Sequence, residues 1–317
     1  MIVLIDTAKT PMASMLKKVN GLDQLEHSWT ADEYDAPNLT ATVDGADVGA
    51  SDHEDAQANR GELKGRCHYH SRVPKVSTLT ESTSTGGTPA GRAMAQAIAK
   101  KMKELKRDME SVIGSSQESA ADDGNDGNAT RGLGAWLQTG AQTHLPVPAA
   151  FRPSAGHIDA TPMASFNEET LDGVLQTIWN VRDSAESYHL FCGGVLKRTI
   201  SNLSRADSIT GSAVLARTFD GAVNKLETKV DIYQSDFGIL NLHLDRHLGE
   251  DETTDKVIRM ARRGYLVDLD LVELKYNIPL RSRDLPDTGG GPRKKLEQCF
   301  MLCVGDPRGL GKFAATA

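Results

Sequence analysis

Residues 88–114 read TPAGRAMAQAIAKKMKELKRDMESVIG and predict one long amphipathic helix. Thr88 suits the N-cap, and Pro89 suits the first helical position, where a missing N–H needs no partner. About 25 residues at about 1.5 Å each make a rod of roughly 37 Å that ends near Gly114. Lysines and acidic residues cover its other faces, so we expect it to be half-buried. Apolar residues recur at spacings of three and four, which places them on one face, at Met94, Ile98, Met102, Leu105, Met109 and Val112.

Residues 1–75, ahead of this helix, show no sustained helical or strand period. A loop of this length is uncommon inside one domain unless it is disordered or functional. Its aliphatic and aromatic content is nevertheless higher than that of a disordered linker. We therefore expect an extended arm that orders by packing on another copy of the chain, with Trp29 as its main anchor.

The composition indicates a soluble globular class. The chain has 317 residues, of which 39% are hydrophobic and 25% charged, and its formal net charge is −7. Contact with a polyanion such as nucleic acid would therefore have to be local. Asp6 interrupts the apolar start after five residues, and no run has membrane-spanning length, so we expect a cytoplasmic product with no membrane contact.

The chain after the long helix predicts an α+β protein, with the helix packed on one sheet and a separate mixed lobe. Residues 115–130 form a polar surface loop, and apolar structure resumes around Trp136. Asn167 caps a second helix, whose stripe is Leu171, Val174, Leu175, Ile178 and Trp179. A buried strand (189–192), the turn Gly193-Gly194 and a helix to about Leu203 follow. Strands are predicted at Lys229–Tyr233, Ile239–Leu244, Tyr265–Tyr276 and Leu296–Val304.

Four cysteines, Cys67, Cys192, Cys299 and Cys303, do not form a disulfide framework. Cys299 and Cys303 would share a strand face about 13 Å apart, which is too far for a bond. Buried, reduced thiols are the favoured interpretation.

Possible chemical sites are weak, and no catalytic, cofactor or metal site is predicted. Residues 305–312 (GDPRGLGK) resemble a phosphate loop, but the glycine spacing is too long and Phe313 replaces the required Ser or Thr. Gly193-Gly194 could bind an anion, although a tight turn explains it equally well. Residues 67–70 (CHYH) could supply metal ligands, but a polar strand face is favoured. For His243 and His247 a solvated surface is favoured, because no HExxH motif accompanies them.

Short motifs along the chain carry a family resemblance. They include TPMASML (10–16), HSWTAD (27–32), APN (36–38), DGAD (44–47) and Asn59-Arg60. They continue with KELKRDME (103–110), RGLGAW (131–136), VDIYQSDFG (230–238) and the last strand to Asp306 and Pro307. In order and spacing these motifs resemble tailed-bacteriophage major capsid proteins over most of the chain.

The resemblance implies the Johnson, or Hong Kong-type, capsid fold. It divides the chain into an N-terminal arm (1–38), an extended loop (39–76), a peripheral domain with a spine helix (77–136), an axial domain with returning strands (137–290), and a closing peripheral strand with a C-terminal tail (291–317). The apolar face of the spine helix would be its core face. Contacts between subunits are expected at Pro11, Met15, Trp29 and Pro37.

The function implied is that of a structural, non-enzymatic protein. It would self-assemble as hexamers and pentamers into an icosahedral head that encloses double-stranded DNA, and it would be found in the virion after assembly in the host cytoplasm. Portal, scaffold and possibly decoration proteins would be partners, and DNA contact would be non-specific. An encapsulin-like cargo compartment and a small-molecule α+β enzyme remain as alternatives.

Overall fold

The computed structural model describes residues 9–49, 53, 55, 57–84, 88–181, 187–203, 219–220, 225–226, 230–248, 261–287 and 289–314. Within them no helix is both long and apolar enough to cross a membrane. The helices are α1 (Pro11–Met15), α2 (Thr78–Ser82), α3 (Ala93–Ile113), α4 (Leu133–Trp136), α5 (Glu168–Val181) and α6 (Gly194–Leu203). The strands are β1 (Lys17–Asn20), β2 (Glu26–Ala31), β3 (Gly61–Arg66), β4 (His68–Arg72), β5 (Ile158–Asp159), β6 (Ser187–Cys192), β7 (Phe219–Asp220), β8 (Lys225–Leu226), β9 (Ile232–Ser235), β10 (Gly238–Leu244), β11 (Arg263–Val267), β12 (Val272–Asp284), β13 (Lys294–Val304) and β14 (Gly311–Ala314).

A four-stranded sheet, in the order β1-β12-β13-β4, carries the long helix α3. Strand β1 runs parallel to β12, and the other two pairs are antiparallel. Along β12, Val272, Leu274 and Tyr276 alternate with half-buried residues, because successive strand side chains point to opposite faces. The Tyr276 hydroxyl donates to the sulfur of Met109 on α3 at 3.4 Å. The long helix therefore packs on a sheet of its own chain.

Helix α3 begins at Ala93, so the prediction that it begins at Thr88-Pro89 is wrong. Gly91 has φ +78°, a left-handed conformation that a right-handed helix cannot include. The Glu81 carboxylate caps the new start by accepting from Met94 N–H at 3.0 Å. The predicted end at Gly114 is confirmed. On the apolar stripe Met94, Leu105 and Met109 are buried, whereas Ile98 and Met102 are half-buried.

The first described residues are seated on their own chain. Helix α1 buries Met12 and Ala13, which join Leu16 in the main hydrophobic cluster, and β1 extends the four-stranded sheet. Strand β2 pairs with β3 in an antiparallel hairpin. The prediction that the arm orders only on a neighbouring subunit is therefore wrong for residues 9–31, because distant parts of the same chain supply the missing partners. The predicted boundary at residue 38 falls inside the connection between β2 and β3.

A six-stranded sheet, in the order β5-β14-β11-β6-β10-β9, forms the mixed lobe with α5 and α6. The predicted cap of α5 is confirmed, since Asn167 Oδ1 accepts from Thr170 N–H at 2.9 Å. Trp179 is 53% exposed, so its assignment to the buried stripe is wrong. It lies about 100° round the helix from the buried Ile178.

The predicted strands are found with two changes. The segment 265–276 forms two strands, because Leu271 N–H donates to the Asp268 carbonyl at 3.2 Å and closes a turn between β11 and β12. Lys229 lies outside the described residues, and β9 begins at Ile232. The 189–192, 239–244 and 296–304 strands are confirmed within β6, β10 and β13.

Strand β13 is buried on both faces. Phe300, Leu302 and Val304 enter the main cluster, while Cys299 and Cys303 join a small second cluster with Leu22, Cys67 and Met301. This second cluster buries the two thiols of β13 on the face opposite to Phe300, Leu302 and Val304. All four cysteines are free and buried, as predicted.

Two chain segments run side by side between the sheets. One is the turn from β11 to β12, and the other leads from β13 to β14. Gly305 N–H donates to the Leu271 carbonyl at 2.7 Å and ties the two segments together. The Trp29 indole adds a bond to the Val304 carbonyl at 3.0 Å.

The polar stretch 115–130 is a surface loop only at its centre. Residues 121–127 are exposed, but Ser115, Ser119 and Thr130 are buried. The Thr130 hydroxyl accepts from Leu302 N–H on β13 at 3.2 Å, so the end of this stretch belongs to the core.

Candidate assembly surfaces

The connection between β2 and β3, residues 32–60, is the most exposed apolar part of the described chain. Tyr34 and Leu39 are 98% and 96% exposed, and Val43 and Val48 are also exposed. The same connection is strongly acidic, with Arg60 as its single lysine or arginine. Its acidic residues are Asp32, Glu33, Asp35, Asp44, Asp47, Asp52, Glu54 and Asp55. Apolar and acidic groups together make a surface suited to a basic partner with apolar patches.

The base of this connection is held by ion pairs and hydrogen bonds. Asp32 Oδ2 lies 3.0 Å from Arg60 Nη2, and Glu33 Oε2 lies 2.9 Å from Arg308 Nη1. Pro37 lies beyond these contacts in a surface groove that Tyr34 and Trp179 also line. The chain is thus fixed where it leaves the sheet, while residues farther along present their side chains to solvent.

The outer face of α3 carries a row of exposed lysines, Lys100, Lys103 and Lys106, spaced three residues apart. Neighbouring side chains at three-residue spacing lie along one side of a helix. Within the described residues none of the three forms an ion pair. The acidic Glu104 is already paired with Lys101 at 2.6 Å, and Asp108 with Arg72 at 2.6 Å. The row therefore presents positive charge that forms no direct ion pair within the described residues.

The other predicted contact residues pack largely on their own chain. The Trp29 ring lies 5.9 Å from the Trp136 ring, centroid to centroid. Pro11 and Met15 flank the buried side of α1 and are half-buried. Pro37 is the one member of the predicted set of four that is fully on the surface.

The phosphate-like residues are used for folding contacts. Lys312 Nζ donates to the Gly134 carbonyl at 2.9 Å, and the segment leads through one 3-10 turn into strand β14, where a phosphate loop would lead into a helix. Gly193 N–H donates to the Arg263 carbonyl at 2.9 Å, so this turn does not offer that N–H to an anion. The tight-turn interpretation of Gly193-Gly194 is supported.

The histidine candidates form pairs inside the fold. The rings of His68 and His70 lie 4.1 Å apart, against Phe300, and burial lowers their pKa values to about 3 and about 4. His243 Nε2 lies 2.9 Å from His189 Nδ1, and burial lowers the pKa values of both. The solvated-surface interpretation is wrong for His243, because β10 turns its ring toward β6. The described residues hold no cluster of three or more potential metal ligands.

Sequence comparison identifies the family. A family model described as SU10 major capsid protein matches residues 1–317. The chain belongs to this family. It is a structural protein of phage capsids, and the tailed-phage resemblance is confirmed. No curated protein matches the sequence.

Solved capsid structures share the fold. The capsid of cyanophage P-SCSP1u has a TM-score of 0.62 at 8% identity, with 100% of this chain and 91% of that chain covered. The capsid of an empty GTA particle has a TM-score of 0.60 at 11% identity, with 100% of both chains covered. The SrpI encapsulin of Synechococcus elongatus has a TM-score of 0.53 at 9% identity, with 99% and 92% covered. These likenesses confirm the Hong Kong-type α+β capsid fold.

The lysines of α3 were predicted as part of its polar face but not as a candidate assembly surface. The signal that could have identified it is the contrast between an acid-rich segment (32–60) and a lysine-rich one (100–107). Which of these charges are already paired can be read only from the folded chain.

Proposed function

We propose that this capsid subunit forms hexamers and pentamers that close into an icosahedral head around double-stranded DNA. The observation that carries the proposal is the exposed, acidic and apolar connection 32–60, which has the opposite charge to the lysine row on α3. Within one chain, residues 32–35 are tied to the base of the connection, and the lysine row has no ion pair among the described residues. A second copy supplies the complementary surface.

The proposed contact places residues 32–60 of one subunit across the α3 face of the next. Such a contact is heterologous, and its repetition forms a ring when the rotation from one subunit to the next is one fifth or one sixth of a turn, as in a pentamer or hexamer. Individual exposed ion pairs are weak and are screened by salt, but repeated contacts in a closed ring strengthen one another. The apolar side chains Tyr34, Leu39, Val43 and Val48 lose water in the same contact.

The earlier division of the chain is proposed with several changes, which include the transfer of β12 to the peripheral domain and of β14 to the axial domain. The extended loop comprises residues 32–60 rather than 39–76, and residues 9–31 are the seated arm. The four-stranded sheet with α3 is the peripheral domain, and the six-stranded sheet with α5 and α6 is the axial domain. Of the four predicted contact residues, Pro37 belongs to the loop. Pro11, Met15 and Trp29 contribute to contacts between subunits only through the parts of their side chains that remain exposed on their own chain.

The remaining parts of the proposal follow from the capsid role. Assembly takes place in the host cytoplasm with portal and scaffold proteins, and the subunit has no catalytic role. The acidic chain contacts packaged DNA weakly and without sequence preference. An encapsulin-like compartment is the second candidate, because the SrpI encapsulin shares the fold. A small-molecule enzyme is disfavoured, since the Gly193 turn is occupied by backbone contacts.

Charge reversal tests the proposed contact. Lys100→Glu/Lys103→Glu and Asp44→Lys/Asp47→Lys should each reduce particle yield at least tenfold, as measured by sedimentation and negative-stain microscopy. The combined four-residue variant should recover most of the yield, because opposite charges again face each other. Lys18→Glu, a change at an exposed lysine outside α3, is the matched control and should assemble normally.

Circular dichroism of each variant checks that the subunit is folded. A combined variant as defective as its parents, or charge-reversed parents that assemble like the control, would contradict the proposed contact. Nuclease-resistant DNA in purified particles supports the phage head, whereas a co-purifying protein cargo without DNA supports the encapsulin alternative.

A further inference from the structure

A buried pair of carboxyl groups lies where the arm, α3 and the six-stranded sheet meet. Glu110 is near the end of α3, and Asp245 follows β10; their exposed fractions are 0% and 2%. The two oxygens of Glu110 accept the N–H groups of Met12 and Ala13, each at 2.7 Å. The carboxyl group of Glu110 thus fastens the first turn of α1 to α3.

Asp245 connects this junction of the arm and α3 with the six-stranded sheet. Its N–H donates to the Cys192 carbonyl on β6 at 2.9 Å, and its Oδ1 accepts from His247 N–H at 2.8 Å. Its Oδ2 is buried and receives no N–H or O–H from the described donors. A hydrogen bond between the Asp245 and Glu110 carboxyls is one of the causes that raise the pKa of Glu110, and such a bond requires a proton on one of the two groups. This oxygen is available to carry a proton.

The two carboxyls cannot both be ionised without repulsion in a buried site. Burial and the Asp245 carboxylate raise the pKa of Glu110 to about 8, although the two backbone donors oppose this shift. Burial also raises the pKa of Asp245. The pair therefore titrates as a unit and retains one proton near neutral pH.

Among the described residues, few other charged groups surround this pair. Helix α1 has the sequence PMASM and contributes no titratable side chain. His247, beyond β10, lowers the pKa of Asp245. On β11, buried Arg263 donates to the Leu248 carbonyl at 3.5 Å. None of these contacts replaces the bond between Glu110 and the arm.

We propose that Glu110 and Asp245 form a proton-dependent latch, in which a shared proton keeps α1 docked on α3 and on the end of β10. Loss of the proton places two negative charges in the buried site and favours undocking of the arm. The latch depends on contacts within one chain and is independent of the proposed contact between subunits.

The direction of the pH effect follows from linkage. Docked Glu110 retains its proton up to about pH 8, whereas undocked Glu110 returns toward its ordinary value of 4.5. Between these limits the docked state binds more protons, so docking is strongest at low pH and weakens as the pH rises. The weakening approaches tenfold per pH unit and ends above about pH 8, because both states are then deprotonated.

Hydrogen exchange of the full-length chain measures this equilibrium. Protection of the amides of residues 12–16, corrected for the intrinsic pH dependence of exchange, should fall by up to tenfold per unit between pH 5 and 8 and then level off. Amides of β13 in the same molecule provide the internal reference. Glu110→Gln should remove the slope, and Asp245→Asn should move the plateau to lower pH.

A wild-type protection ratio that is constant across this range, or a Glu110→Gln variant that keeps the full slope, would overturn the proposal. If Glu110→Gln does not fold, the proposal is tested by the dependence of wild-type amide protection on pH and by the pH at which protection levels off in Asp245→Asn. Because His247 is retained in both variants, its own titration cannot produce the difference between them.

Discussion

Leu105 provides a direct test of how α3 is seated. Its side chain is 0% exposed, whereas Lys103, two residues earlier, lies on the exposed face. Truncation to alanine should cost about 2–5 kcal/mol of unfolding free energy, from lost apolar burial and the cavity that remains. Aspartate adds the desolvation of a carboxyl group and brings the loss above about 5 kcal/mol. That loss is comparable with the whole stability of many domains, about 5–15 kcal/mol.

The comparison requires three variants and urea unfolding of the unassembled subunit followed by circular dichroism. Leu105→Ala should remain folded with a lower midpoint, and Leu105→Asp should give no soluble folded product. Lys103→Asp should leave the unfolding free energy within about 0.5 kcal/mol of wild type. If Leu105→Asp is tolerated as well as Lys103→Asp, the placement of the apolar face of α3 is wrong.

Two further predictions concern the arm and the thiols. Trp29→Ala should destabilise the unassembled subunit by about 3 kcal/mol or more, because it removes a large ring from its own core; Trp29→Phe keeps a ring, loses the bond to Val304 and should cost less. A Trp29→Ala subunit of normal stability that fails only to assemble would instead place the main contacts of the ring on a neighbour. Reductant should leave particle yield and melting temperature unchanged, because all four cysteines are free; loss of particles in reductant would show that disulfides hold them together.

The sequence predicted the elements whose partners are close in the chain or whose period is strong. The residue spacing in helices α3, α5 and α6 shows their apolar faces, and β13 ends in the continuous apolar run 299–304. The start of α3 was predicted wrongly because a good cap, Thr88-Pro89, precedes a glycine that adopts positive φ. A local preference was overridden by the backbone conformation three residues later.

The arm could not be predicted because its partners lie far along the chain. Met12 N–H bonds Glu110, 98 residues away, and β1 pairs with β12, more than 250 residues away at Lys17 and Glu273. Four or five residues are too few to show a period, so α1 and β1 have no pattern of their own. For the candidate surfaces, charge composition was visible in the sequence, but the pairing of Glu104 and Asp108 with basic neighbours was not.

The two segments between the sheets, bonded through Gly305 and Leu271, have a mechanical consequence. Two adjacent covalent connections resist twisting of one sheet against the other, because twisting would shear the bond between them. They permit the two sheets to bend relative to each other about the line that joins the two segments. We therefore expect any shape change of the subunit during shell closure to be a hinge motion with one main axis, with the Leu271–Gly305 bond at its pivot.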